Sequence, residues 1–407
     1  MFHRKLSVLL LTMVLATGAL AQTQTAPAAL PKSQPVEIPF ELVSKHIFLK
    51  IKVGDSKPLN FIFDTGDQVA IINLPRAQEL GLKLEGELKV GGAGPNTLSG
   101  SYVKETSFSI PGLDGFSQPV RIALPLGAMA PQLGQDFDGI VGAEFIRQFV
   151  VEIDYQKSVI RLHNKDTFQY SGNGDSIPVT LNRGGHPIID GEVTPEDQPA
   201  VKGKFVLDLG SGGALSLSSP FVAEHHLPGP NTKTIPLLGG GGAGGAISGK
   251  VGRVTSLKLG KFTLNKPVAL FSEDKGGALA GNELIGNIGY YIASRFKIFL
   301  DYSHQRMILE PTANFADSFD RFSAGLRIVA EGQDYKTFRV KNLLDDSPAT
   351  DAGVQKEDII TAIDGVPASR LTLSKISEQF EKGGRYKLTV MRGDHPLELT
   401  LTPRKII

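Results

Sequence analysis

The chain has 407 residues, no cysteine and a formal net charge of +1, with 41% hydrophobic and 21% charged residues. That length suits two or three domains with ordinary buried cores. The near-neutral charge argues against a general binder of nucleic acid or membrane surfaces, and the missing thiol excludes disulfides, thiol catalysis, thiolate metal sites and a lipid-modified N-terminal cysteine.

Residues 1–21 read as an export signal. Arg4 and Lys5 precede a mostly apolar run from Leu6 to Leu20, and Ala19-Leu20-Ala21 fits a small-residue cleavage site ahead of Gln22. The other reading is a membrane anchor, for which the run is short, because a spanning helix needs about 20 apolar residues. No later stretch is apolar enough to span a bilayer once the signal is removed. The expected address is therefore the periplasm or cell envelope, or secretion. Residues 22–36, rich in Gln, Thr, Ala and Pro, read as a flexible tether.

From residue 37 the texture is β: short Val, Ile, Phe and Leu runs separated by Gly, Pro, Asn and Asp. Short helices are predicted at 74–80, 144–149 and 220–226. Two acidic turns stand out. Phe61-Ile62-Phe63-Asp64-Thr65-Gly66 and Phe205-Val206-Leu207-Asp208-Leu209-Gly210 each run a buried apolar strand into an aspartate. Burying an ionised carboxylate costs several kcal/mol unless it is paired or hydrogen-bonded. Asp64 and Asp208 lie 144 positions apart, as do Gly142 and Gly286, which close Gly139-Ile140-Val141-Gly142 and Glu283-Leu284-Ile285-Gly286. Asp154-Tyr155 and Asp301-Tyr302 then fall in predicted hairpin turns. Two copies of one β unit about a pseudo-twofold axis explain the repeat, and such an axis brings equivalent loops face to face. A duplicated β-domain whose acidic turns lie apart is the other arrangement.

Two facing carboxyl groups split their titration and share a proton at moderately acidic pH. One can take a proton from a water held between them while the other protonates the carbonyl under attack, which hydrolyses an amide without metal or covalent intermediate. Gly66 and Gly210 allow close backbone approach, Thr65 can bond across to the opposing loop, and Ser211 can orient a carboxylate oxygen of Asp208.

Over residues 40–312 the sequence resembles the pepsin/retropepsin aspartic proteases, through Asp64-Thr65-Gly66, Asp208-Leu209-Gly210-Ser211 and the hydrophobic-hydrophobic-Gly elements ending at Gly142 and Gly286. The resemblance implies catalytic Asp64 and Asp208. Leu209 stands where the family has Thr or Ser, and Asp67 where it has Ser or Ala. A third carboxylate near the pair pushes its titration upward, so activity is expected nearer neutral pH than in acid proteases. Glycine-rich loops follow each turn, Gly91-Gly92-Ala93-Gly94 through Gly100 and Gly239–Gly245 through Gly249. The resemblance makes Gly91, Gly92 and Gly94 flap candidates, since glycine-rich tips suit a mobile lid; a plain surface loop is the other reading. Gly244 and Gly249-Lys250 imitate a phosphate loop but are followed by Val251 in a β-rich context, which argues against nucleotide binding. The eight histidines form no converging metal set.

Beyond a linker at 313–322 the pattern changes. Ser347-Pro348-Ala349, Ala352-Gly353-Val354, Asp358-Ile359-Ile360 and Ile363-Asp364-Gly365, followed by an amphipathic 373–380 segment and alternating strands at 386–391 and 397–401, resemble a bacterial-type PDZ domain over 323–404. That family adds a peptide strand to a sheet edge and captures its terminal carboxylate. The resemblance assigns peptide binding to Gly325, Leu326, Arg327 and Ile328, with Arg327 replacing the usual second glycine. A domain that only packs on the lobes is the alternative.

The expected fold class is all-β, a bilobal pepsin-like pseudo-twofold acid protease fold followed by a small α+β PDZ domain. The expected divisions are a signal at 1–21, tether 22–36, N-terminal lobe 37–164, C-terminal lobe 165–312, linker 313–322 and PDZ domain 323–407. The expected function is exported aspartic endopeptidase activity without cofactor or metal. Its partners would be a peptide or protein substrate and a C-terminal peptide at the PDZ domain, with no nucleic acid and no stable membrane span. The alternative is a non-catalytic peptide-binding protein acting through its PDZ domain.

Overall fold

The computed structural model describes residues 34–407. The expected export signal and most of the tether lie outside the described residues, while Val36, placed at the end of the tether, opens strand Val36–Pro39. Nearly all regular structure before residue 312 is β, in short strands.

Two lobes meet in a central antiparallel sheet. Val150–Asp154 of the first lobe pairs with Phe296–Asp301 of the second, Val151 opposite Leu300 and Ile153 opposite Ile298. Outward from this seam the order repeats on both sides. Val159–His163 and then Val36–Pro39 extend it one way; Arg306–Pro311 and then Asp175–Leu181 extend it the other. The Asp-Tyr pairs occupy the predicted turns, each between the first and second strands of its half. The central sheet thus carries the pseudo-twofold relation expected of the duplicated unit.

Each lobe also threads its acidic turn in the same way. Leu59–Phe63 runs parallel to Gly139–Val141, and Val201–Leu207 runs parallel to Gly286–Ile288. The first strand is buried on both faces: Phe61 and Phe63 enter the main core while Ile62 packs with Phe48, Ile71 and Ile140. A doubly buried strand reads as an uninterrupted apolar run and not as an alternating one.

The register corrects one element of the repeat. Phe61 pairs with Gly139 and Phe205 with Gly286, so the partner of Gly142 is Gly289, three positions beyond the expected Gly286. Gly142 and Gly289 each precede a short helix, Ala143–Ile146 and Tyr290–Ala293. The equivalent segments are Gly139-Ile140-Val141-Gly142 and Gly286-Asn287-Ile288-Gly289. Leu284-Ile285-Gly286 mimics the apolar pattern, but backbone pairing selects the segment containing a polar Asn287.

The C-terminal domain has its own core, with Phe338, Val340, Ile360, Ile376, Phe380, Leu388 and Val390 buried between the sheet and helix Leu373–Lys382. Asp364 and Gly365 both have positive φ in the tight turn between Ile359–Ile363 and Val366–Pro367. The 313–322 segment is tied down. Buried Arg295 donates to the carbonyls of Asn314, Phe315, Asp317 and Ser318 and lies over the ring of Phe319. Breaking a buried charged network by removing one partner costs about 3 kcal/mol. Arg295→Met should therefore lower unfolding free energy by roughly this amount in denaturant titration and expose the 313–322 segment to limited proteolysis. Unchanged stability and cleavage would show that the segment is held by other contacts.

Candidate active site

The two acidic turns meet at the lobe interface. Asp64 N donates to Val141 O and Asp208 N to Ile288 O, each at 2.9 Å, so each aspartate is seated on its lobe by the same bond. Thr65 is fully buried. Its hydroxyl donates to Leu207 O at 2.6 Å and accepts from Leu209 N at 3.0 Å, fastening one turn to the other. Leu209, equally buried, offers no hydroxyl in return, so the lobes are joined by one such grip.

The carboxyl groups lie side by side. Asp64 Oδ1 accepts from Gly66 N at 2.6 Å and from Gly210 N at 3.1 Å, while Gly210 N also donates to Asp208 Oδ1 at 2.9 Å. The two Oδ1 atoms thus share one donor, the N–H of Gly210. A Cβ at Gly210 would overlap the Asp64 carboxyl, and one at Gly66 would sit 2.9 Å from Asp208 Oδ1. Only glycine lets both backbones approach this closely. Asp64 and Asp208 are each part-buried.

Asp208 takes its remaining donor from Asn287, whose Nδ2 lies 2.5 Å from Asp208 Oδ2. Ser211, expected in this role, is placed elsewhere. Its N–H donates to Asp208 O and its carbonyl accepts from Tyr290 N, while its hydroxyl faces Gly289, where a Cβ would sit 2.8 Å away. The equivalent position in the first lobe is Asp67, whose carbonyl likewise accepts from Ala143 N at 2.8 Å. Symmetry thus puts a third carboxylate beside the pair.

Burial pushes the Asp64 carboxyl well above the ordinary range, and the Asp208 and Asp67 charges push it further. Asp67 is pushed up to about 7, first by burial and then by Asp208. Two histidines also sense Asp208. Burial holds His46 and His186 below the ordinary imidazole range, with Asp208 opposing the shift. His46 Nδ1 lies 2.7 Å from Ser44 O, so that nitrogen carries the hydrogen and donates.

The flap candidates lie between Leu84–Val90 and Leu98–Val103, which form a hairpin. The hairpin tip meets the glycine-rich hairpin of the other lobe, Gly240–Gly242 paired with Gly245–Ile247. Gly94 N donates to Ala243 O at 3.0 Å and Asn96 N to Gly244 O at 2.9 Å. Side chains at Gly92 or Gly94 would run into Ala243 and Gly244, whereas Gly91 is open on its free side. The two loops are therefore joined across the lobes. Gly249-Lys250 opens strand Gly249–Arg253 and no helix, so no phosphate-binding helix terminus follows it. The ring of His225 packs at a tilt against Phe221, centroids 4.4 Å apart.

Gly325, Leu326, Arg327 and Ile328 lead into strand Leu326–Glu331, which ends its sheet. Gly325 N is already bonded to Ser323 Oγ at 3.1 Å, and helix Ala130–Leu133 packs against the strand. Neither Asn287 nor His46 is visible as a site residue in the sequence. The signal that finds Asn287 is a polar residue in the slot filled by Ile140 in the other lobe, once the register is known.

A family model described as aspartyl protease matches residues 49–145, and one described as PDZ domain matches residues 325–402. No curated protein matches the chain.

Two outcomes test this geometry. Thr65→Val leaves Leu207 O and Leu209 N buried without a partner, at about 1–3 kcal/mol for each, and should lower unfolding free energy by roughly 2–5 kcal/mol in denaturant titration. Asp67 binds its proton more tightly folded than unfolded, so its contribution falls as pH rises from the ordinary value of 3.8 to about 7. The slope of stability against pH across that window should flatten in Asp67→Asn; an unchanged slope would place the titration elsewhere.

Proposed function

In a chain that carries an aspartyl protease domain and a C-terminal PDZ domain, we propose that Asp64 and Asp208 form the dyad of an exported aspartic endopeptidase. The observation that carries the reading is one N–H, that of Gly210, donating to carboxyls from both lobes. A dyad held this way cannot ionise twice at modest cost.

The roles follow from the hydrogen bonds. Both oxygens of Asp208 accept from donors, Gly210 N and Asn287 Nδ2. With a donor already aimed at each of its oxygens, Asp208 is assigned as the base that takes a proton from the attacking water. Asp64, raised by burial and by its neighbours, holds the proton and gives it to the carbonyl oxygen of the peptide bond. The water adds to the carbonyl carbon, and proton return to the departing nitrogen completes hydrolysis. The joined glycine hairpins serve as the lid over the extended peptide. The apolar run at 6–20 supports export.

The non-catalytic reading draws on Leu209 in place of a hydroxyl. Asp64→Asn decides between the two, and should lower peptide hydrolysis on the order of a thousandfold while leaving the thermal unfolding transition in place. Undiminished cleavage by that variant would reject the dyad. The upper limb of the pH–rate profile reports loss of the shared proton, which the Asp67 charge delays. In Asp67→Asn that limb should move to lower pH; a limb that stays in place or moves upward would remove Asp67 from the electrostatics of the site.

A further inference from the structure

A strained turn of the first lobe is held by the C-terminal domain and packs on the second acidic turn. Strands Glu41–Val43 and His46–Val53 form a hairpin in which Val43 pairs with His46, leaving Ser44 and Lys45 as its two-residue turn. Both turn residues have positive φ, 48° and 69°. Such a turn normally takes asparagine and glycine. Serine and lysine resist it, and residues held in this region persist where their surroundings over-determine them. Here the surroundings include helix Leu373–Lys382 of the C-terminal domain. Ser44 N donates to Ser374 Oγ at 3.3 Å near the start of that helix. Lys45 Nζ pairs with Glu381 at 3.3 Å near its end. The corresponding loop of the second lobe, ahead of Pro187–Thr194, places a glycine, Gly185, at its positive φ.

The Ser44-Lys45 turn lies directly against Gly212. A Cβ there would sit 3.3 Å from His46 Cε1, 3.5 Å from Ser44 O and 3.6 Å from Lys45 Cβ. Strand register brings His46 to this place. Phe48 pairs with Ile62 and Ile188 with Val206, so His46 and His186, each two positions earlier, stand level with Asp64 and Asp208. His46 turns its Nδ1–H to Ser44 O at 2.7 Å. Burial lowers its basicity, and the Ser44 carbonyl, the Asp208 charge and the Gly210 carbonyl oppose that shift. The second acidic turn also rests on helix Tyr290–Ala293, with Tyr290 N donating to Ser211 O at 2.9 Å and Tyr291 N to Gly213 O at 3.0 Å. Glu381 reaches this support as well, accepting from Tyr291 Oη at 2.8 Å. One carboxylate of the C-terminal domain thus grips both supports of the segment that carries Asp208.

We infer that His46 is a positioning residue for Asp208, and that helix Leu373–Lys382 sets it by gripping the Ser44-Lys45 turn. The docked domain then completes the site. Losing the grip lets the turn relax, withdraws His46 from Gly212 and loosens the seat of Asp208. This role rests on the reading of Asp208 as the base and says what holds that base in place. It acts on the reacting group and not on peptide binding, so it belongs in kcat and not in KM.

The test compares the full chain with Ser374→Ala/Glu381→Ala, with the same double variant carrying Lys45→Gly, and with His46→Asn, on a quenched fluorescent peptide. Lys45→Gly gives the turn a residue that takes positive φ unaided. The double variant should lose about tenfold in kcat, the scale of a small misplacement, with KM unchanged. Adding Lys45→Gly should restore part of that loss. His46→Asn keeps a donor for Ser44 O but no longer spans to Gly212, and should lose a similar amount with thermal unfolding in place. Ring-nitrogen NMR of histidine-labelled protein reads the same event without turnover. The His46 signals should move in the double variant and return with Lys45→Gly, while those of His186 stay. Unmoved His46 signals, an unchanged kcat, a change in KM alone, or a loss that Lys45→Gly leaves intact would each overturn the inference. If the unsubstituted chain cleaves nothing, the dyad reading falls, and the NMR comparison by itself decides whether the helix sets His46.

Discussion

Two carboxyl groups pressed together in a poorly solvated seam repel when both are charged, and the fold is built so that they cannot move apart. Each aspartate is tied by its own N–H to the neighbouring parallel strand of its lobe. The lobes are in turn fixed by the pairing of Val150–Asp154 with Phe296–Asp301 and by the Thr65 hydroxyl, which bonds two backbone groups of the opposing turn. Relief by ionic separation is closed off, so relief must come from a proton. Burial first, and the Asp208 and Asp67 charges after it, drive Asp64 upward, so that a group that would be inert at the surface becomes able to donate.

The halves match in backbone around the pair, and three equivalent positions there differ in side-chain chemistry. Thr65 faces Leu209, Asp67 corresponds to Ser211, and Ile140 corresponds to Asn287. Two of these differences push in the same direction. Asp67 adds negative charge on the Asp64 side, and Asn287 adds a donor on the Asp208 side. A symmetric pair could hold its proton on either carboxyl; here the surroundings favour Asp64.

Much of this was legible in sequence. The strand-then-aspartate pattern is a local burial conflict, and its repetition at a fixed interval pointed to Asp64 and Asp208, whose turns meet at the lobe interface. The alternating strands and the amphipathic helix of the C-terminal domain were equally plain, because each has one face in its own core. The three-residue slip was not legible. Leu284-Ile285-Gly286 satisfies a residue-type pattern better than Asn287-Ile288-Gly289 does, yet strand pairing is decided by backbone partners that lie across the lobe. Asn287 is tolerated in an apolar slot because Asp208 accepts from it, a compensation spread over 79 residues. For the same reason Ser211 was credited with a contact it does not make. The docking of the PDZ domain was also hidden: it rests on exposed-looking residues such as Arg327 and Glu381, whose partners are distant in sequence.

The central claim is that one proton stays on the pair well above the ordinary carboxylate range and resides on Asp64. The most direct measurement is the carboxyl carbon NMR titration of aspartate-labelled protein, with the Asp64 signal assigned by its loss in Asp64→Asn. The account predicts that this signal stays at the protonated position well past the ordinary value of 3.8. An Asp64 signal that completes its ionisation near 3.8, the ordinary value, would contradict it.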